Sequence, residues 1–470
     1  MMLLPLVFLL SLTIGAAFLW ATGIRSSQDR WSITLLSSLG LCIGFAFGSV
    51  IYFAVSRFRE PSAGVLFLIE FALVFGLVVI GSIASRQAFK IPVSAIRHPR
   101  SDRVWTTAVG FCSAAALISV LVYVVAHAVR YPNGGMDSVG FWYFRARMLF
   151  LSEDRWDAVF GMMGHFRPDH PVMLTTLVAR CWTLMGMESR EVYTLIAILA
   201  TLGMTGVLYG ALGTFRNSLI ANLGVILLFL PTSMAGNAGL LMSDILYAYI
   251  LVCAFACFLA ADYQPENRLR LHLLTGFFLG IATWMKNEGL VWNFAFQLAL
   301  LGVGWWRGRL IANIKIGGLV LLACLPFLSA EIWFKSLVPF DEIDCLVPAF
   351  PPGGLMKVLD LNRDMEIVDR MLGGTIKFIS WGLLAIPALL YLGGTRAKFR
   401  EREAINVLGG VFFFAILGYG AAFVATPNPL EFQIGYSINR ICVHFWPSVV
   451  MSLLMLSKIG DELADSRSDT

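Results

Sequence analysis

Asp137, Arg145, His170, Asp244, Lys286, Glu288, Arg440 and His444 are the side chains here whose type and setting could do chemistry. All stand at the edges of long apolar runs. An ionisable group at membrane depth costs about 2.5–3.5 kcal/mol on insertion scales, so a set kept at such edges points to a function. Asp137 follows the turn R-Y-P-N-G-G-M and precedes the aromatic run Phe141, Trp142, Tyr143 and Phe144, with Arg145 and Arg147 close behind. A carboxylate there could cap the following helix, or it could be the acid of a site in the headgroup zone. Arg440 and His444 are spaced i, i+4 in Y-S-I-N-R-I-C-V-H-F-W-P, which puts two donors on one helical face. Such a pair suits an anionic headgroup such as a phosphate. Asp244 in M-S-D-I-L-Y opens an apolar run, where an acid complements the helix dipole. Lys286 and Glu288 interrupt two runs in W-M-K-N-E-G-L-V-W; pairing within this segment is the simple alternative to a site.

The elements that must position these groups are membrane helices. Of 470 residues, 58% are hydrophobic and only 14% charged, with 36 Phe, 13 Trp and 43 Gly, which excludes a soluble domain. Windows of about 20 apolar residues predict an all-α polytopic protein of about 13 transmembrane helices. Leu3 to Thr22, Ile33 to Val55, Ala63 to Ser85 and Val104 to His127 come first, followed by nine more. Among these nine are Ser218 to Met234, Leu273 to Met285, Ile376 to Leu392 and Ile441 to Leu456.

The densest basic cluster, Arg86, Lys90, Arg97, Arg100 and Arg103, marks a cytoplasmic loop and so places Asp137 outside. Pro171 to Gly186 is apolar but carries Arg180. If it crossed, Arg307, Arg309, Lys315, Arg396, Lys398, Arg400 and Arg402 would all fall outside, against the positive-inside bias. It is therefore read as a juxtamembrane helix that dips and returns, with the N-terminus outside and the C-terminus inside. The chain divides into three N-terminal helices with a basic loop (1–103), a central module (104–336) whose first external loop is 128–191, an external, turn-rich loop (337–375), and C-terminal helices with a short tail (376–470).

The small net charge of +5 is scattered in short clusters, so no nucleic-acid partner is expected. The cysteines lie in apolar runs except Cys345, and neither a disulfide framework nor a zinc spacing emerges. His165, Asp169 and His170 do not make a closed metal set, so a divalent metal is not favoured and no cofactor is expected. No phosphate-binding loop and no G-x-S-x-G occurs, so a donor substrate is expected to be lipid-borne or to arrive from outside.

The order of these features is itself a pattern. An acid at the first large external loop is followed by R-A-R-M-L-F, by H-P-V-M-L-T-T-L, by M-S-D-I-L-Y and by G-F-F-L-G-I-A-T-W-M-K-N-E-G. Together they resemble the GT-C superfamily of integral-membrane glycosyltransferases, including protein O-mannosyltransferases and lipid A aminoarabinose transferases, over about Val104 to Pro447. The resemblance implies a bacterial inner-membrane enzyme with a periplasmic site and an inverting mechanism. Asp137 would be the general base, a polyprenyl-phosphate sugar the donor, and an envelope glycan, lipid or protein the acceptor. Lys286 and Arg440 would meet the leaving phosphate, with His444, Arg145 and His170 behind them and Asp244 and Glu288 completing the substrate site. This chain departs from the family in having one acid rather than an acidic pair, and H-P-V where relatives carry H-P-P. The rival expectations are a flippase or transporter of a lipid-linked sugar, and an envelope glycan polymerase or ligase.

Overall fold

The computed structural model describes residues 3–25, 29–83, 89–90, 103–152, 170–338, 360–379, 394, 402–425 and 429–458. The protein is an all-α polytopic membrane protein. Its helices are α1 (Leu4–Ala21), α2 (Arg30–Phe58), α3 (Ala63–Ile83) and α4 (Arg103–Arg130), then a wide π-turn (Ser138–Tyr143) running into α5 (Phe144–Leu151). After these come α6 (Met173–Met185), α7 (Glu191–Phe215), α8 (Ser218–Phe229), α9 (Thr232–Gly239), α10 (Ser243–Tyr263), α11 (Arg268–Met285), α12 (Glu288–Trp306) and α13 (Leu310–Lys335). The series closes with α14 (Leu361–Ile379), α15 (Glu403–Ala425) and α16 (Leu430–Leu456). The only strand pairing among the described residues joins Ile24–Arg25 to Phe89–Lys90 in parallel.

The expectation of about 13 spans includes one window, Ile376 to Leu392, that lies mostly outside the described residues. Among the described residues, ten helices are long and apolar enough to cross a membrane, and α8 with α9 makes an eleventh if that pair, bent by 68°, is one span. Ser218 to Met234 is thus broken, because Pro231 has no N–H to offer and cannot continue α8. α11 reaches back to Arg268; with Arg268 facing Asp262 at one end and Lys286 bonding Asp244 at the other it runs alongside α10, although Arg268, Arg270 and His272 make its first turns less apolar than the rest. The turn-rich loop expected up to residue 375 is helical from Leu361. The last helix begins at Leu430 rather than Ile441, so Arg440 sits inside it.

Close packing of small residues sets the helix order at the N-terminus. α1 and α2 run antiparallel so tightly that a Cβ on Gly15 would lie 1.7 Å from the Gly40 carbonyl oxygen, and one on Gly44 1.8 Å from that of Ser11. α2 and α7 are likewise antiparallel, with Gly213 against Trp31 and Gly206 against Ser38. α10 is the centre of the molecule, its residues Ser243 to Ala261 all buried.

α6 is short. His170, just before it, packs on Phe141 and Trp142, while Trp182 near its end packs on Tyr143, so both ends return to the same aromatic segment. It is sunk into the bundle rather than laid on it, with residues from Met173 to Trp182 buried. Arg180 on this helix bonds Glu70 of α3 and Ser11 of α1, and Gly48 of α2 leaves room for the guanidinium.

The far end of the bundle carries a separate ion set. Arg402 donates to the Asp262 carbonyl, Arg268 faces Asp262 and Glu403, and Arg309 lies 3.4 Å from Glu403. Arg309 and Arg402, from two of the links read as lying on one side, thus meet at the end opposite Asp137.

Candidate functional site

Six of the eight sequence candidates converge. Asp244 occupies the first turn of α10, wholly buried, and its two oxygens face three donors. Lys286 Nζ, at the end of α11, is 2.6 Å from Oδ1; His444 Nε2 of α16 is 2.8 Å from Oδ1; and Arg440 Nε, one turn earlier on α16, is 2.9 Å from Oδ2. A carboxylate can only accept, so Nε2 of His444 donates here. Burying an ion costs several kcal/mol, offset only where partners are close and hydrogen-bonded, and Asp244 has that arrangement.

Arg440 also reaches outward. Its Nη1 lies 2.9 Å from Asp137 Oδ2, so one guanidinium joins the outer carboxylate to the inner one. The Asp137 side chain is 33% exposed and that of Arg440 20%, against 0% for Asp244 and 2% for Lys286. The cluster is wet outside and dry within.

Backbone contacts register the two acids. Gly134 takes a left-handed φ of +74°, and a Cβ there would strike the Leu240 carbonyl oxygen at 2.5 Å. The Gly135 N–H donates to that carbonyl at 2.9 Å, and Ser138 Oγ donates to the Leu241 carbonyl at 3.2 Å. Leu241 itself has φ +55°, an uncommon conformation for a side-chain-bearing residue, three positions before Asp244. Asp137 makes no side-chain cap to the helix it opens, so the capping alternative gives way to the bond with Arg440.

No family model, curated protein or solved structure matches this chain. The site is read from its own chemistry.

Lys286 does not snorkel: its ammonium is buried on Asp244 and over the Tyr247 ring at 5.7 Å, with Glu288 farther away at 3.9 Å. Arg145 and His170 form an adjoining unit. The buried Arg145 guanidinium donates to the His170 carbonyl at 2.9 Å and stacks over Phe141, while the His170 ring lies within electrostatic range of Glu288. His165 and Asp169 lie outside the described residues. Among the described residues, no three His, Cys, Asp or Glu side chains gather as a metal site.

Two tyrosines were not among the candidates. Tyr436 hydrogen-bonds Asp137 and holds its ring 5.3 Å from the Arg440 guanidinium carbon. Its spacing, i−4 from Arg440, is the signal that could have found it. Tyr247 packs edge-on against His444 at 4.6 Å, one turn below Asp244. What the arrangement offers is an anion-binding guanidinium at the mouth, a carboxylate beside it able to take a proton, and a buried ion set that holds both.

Proposed function

We propose that the protein is an inverting glycosyltransferase of the bacterial inner membrane that moves a sugar from a polyprenyl-phosphate donor to an envelope acceptor on the periplasmic side. The observation that carries the reading is the Asp137–Arg440–Asp244 bridge: a partly exposed carboxylate lies one hydrogen bond from a cation at the mouth of the bundle. The order of the acid-bearing loop, M-S-D-I-L-Y and W-M-K-N-E-G motifs supports it.

In this mechanism the acceptor hydroxyl oxygen attacks the anomeric carbon as Asp137 takes its proton. The bond from that carbon to the phosphate oxygen breaks, and the prenyl phosphate leaves with the electron pair. Arg440 at the mouth, with Lys286 behind it, meets the growing negative charge. The configuration at the sugar inverts because attack and departure occur on opposite faces.

The test is transfer from an undecaprenyl-phosphate sugar, assayed across a panel of hexoses and pentoses with membrane acceptors. Asp137→Asn should lower transfer by about 10²–10⁴-fold, the usual weight of a general base. Full activity in a folded Asp137→Asn protein would sink the reading.

A transporter of the same lipid draws on one observation. Arg440, His444, Ser448 and Ser452 continue at i+4 spacing down α16, and the last three are buried, so polar groups extend inward from the mouth. Appearance of the intact lipid-linked sugar in the opposite leaflet of proteoliposomes, with no new glycosidic bond, favours that reading.

A further inference from the structure

Arg440 makes two carboxylate bonds of equal length in unequal surroundings. The inner one, Nε to Asp244 Oδ2 at 2.9 Å, ends on a carboxylate with no exposed surface. The outer one, Nη1 to Asp137 Oδ2 at 2.9 Å, ends on a side chain one-third exposed. Bonds of the first kind are costly to break because a buried charge is left unpaired; bonds of the second kind contribute little, being solvated and screened. An anion reaching the mouth therefore exchanges with Asp137 and leaves Asp244 in place.

Charge balance points the same way. Asp137, Asp244 and Glu288 already outnumber Arg440 and Lys286, so an added phosphate is accommodated only if one carboxylate gives up its cation. Asp244 faces three donors and is buried; Asp137 has water to turn to. From this we infer that Asp137 is a placeholder for a phosphate headgroup: the headgroup takes the outer face of the Arg440 guanidinium, and Asp137 is released. A carboxylate parted from its arginine has the freed oxygen available to accept a hydrogen bond from the acceptor hydroxyl. The site thus arms its own base only when the donor's phosphate is seated. The inference rests on the reading given under Proposed function and adds the competition to it.

Binding without sugar transfer tests it. The full-length protein in detergent is titrated with undecaprenyl phosphate, read by intrinsic tryptophan fluorescence, for wild type, Asp137→Asn, Asp137→Ala and Arg440→Gln. Removing the competitor should tighten binding about fivefold in both Asp137 variants, the equivalent of about 1 kcal/mol. Arg440→Gln should weaken it at least tenfold. Equal or weaker binding by both Asp137 variants, or wild-type affinity in Arg440→Gln, overturns the exchange while leaving a phosphate-binding site intact. A wild-type protein that binds no undecaprenyl phosphate takes down the exchange and the transferase reading together. A parallel titration with inorganic phosphate separates the sources. Tightening with both ligands keeps the exchange and assigns it to the phosphate group alone, whereas tightening only with the lipid keeps it and assigns it to an anchored headgroup.

Discussion

Glu70 and Arg180 meet as a parallel two-bond pair, Nε to Oε1 at 2.5 Å and Nη2 to Oε2 at 2.6 Å, with neither side chain exposed at all. Ser11 completes the guanidinium through Nη1 at 3.1 Å, so α1 and α3 are fastened to the short α6. Removing one partner strands a charge in the bundle. Glu70→Ala or Arg180→Ala should therefore each cost about 3–5 kcal/mol, seen as a lowered Tm in detergent. The joint replacement Glu70→Met with Arg180→Met should recover most of that loss, since two apolar side chains leave nothing unpaired. A double variant no better than the singles would contradict this account.

The ion cluster at the mouth should show the same contrast between buried and wet charges. Lys286→Met leaves the buried Asp244 short of a cation and should cost about 3–5 kcal/mol. Asp137→Asn removes the charge from a one-third-exposed side chain held by Arg440 and Tyr436, and should cost no more than about 1 kcal/mol. Thermal unfolding of the two proteins, side by side, checks the ranking. The Asp137 change can then be read in activity without a folding defect.

Gly15→Val and Gly44→Val should both destabilise the protein, because any Cβ at these positions meets a backbone oxygen within 2 Å and α1 must leave α2. Gly64, with nothing within 4 Å of its virtual Cβ, is the control. Gly64→Ala should be neutral or slightly stabilising, as alanine favours a helix by about 1 kcal/mol over glycine. Tm values order these variants.

Tyr143, in the π-turn after α4, is predicted to titrate late. Burial pushes its phenol above the ordinary 10.0, and the hydrogen bond it donates to the Glu188 carboxylate adds to the rise. A raised value means that the folded state holds the proton more tightly than the unfolded chain. The contact is therefore intact below pH 10 and lost as pH rises through the folded value. In a difference titration near 295 nm between wild type and Tyr143→Phe, the missing phenolate signal should develop above pH 10. A signal developing below pH 10 would refute the pairing with Glu188.

Much of the molecule is legible locally. Apolar windows located nearly all the long helices, because membrane insertion acts on each segment's own composition. The charge in Pro171 to Gly186 is kept from lipid, since Arg180 is buried on Glu70 and Ser11. An average over a window does not show where a helix turns, as at Pro231, or that α11 starts as early as Arg268.

The sequence by itself determined that this is a helical membrane protein whose ionisable side chains stand at the ends of its apolar segments. Only the tertiary structure decided which of them touch. Asp137 and Arg440 are 303 positions apart and Asp244 and Lys286 42 apart, and nothing in either neighbourhood names the other. Pairing at that range is set by how α10, α11 and α16 pack and by the loop that Gly134 folds onto Leu240. The same packing separates the buried carboxylate from the exposed one, because depth is a property of the assembled bundle and not of any residue.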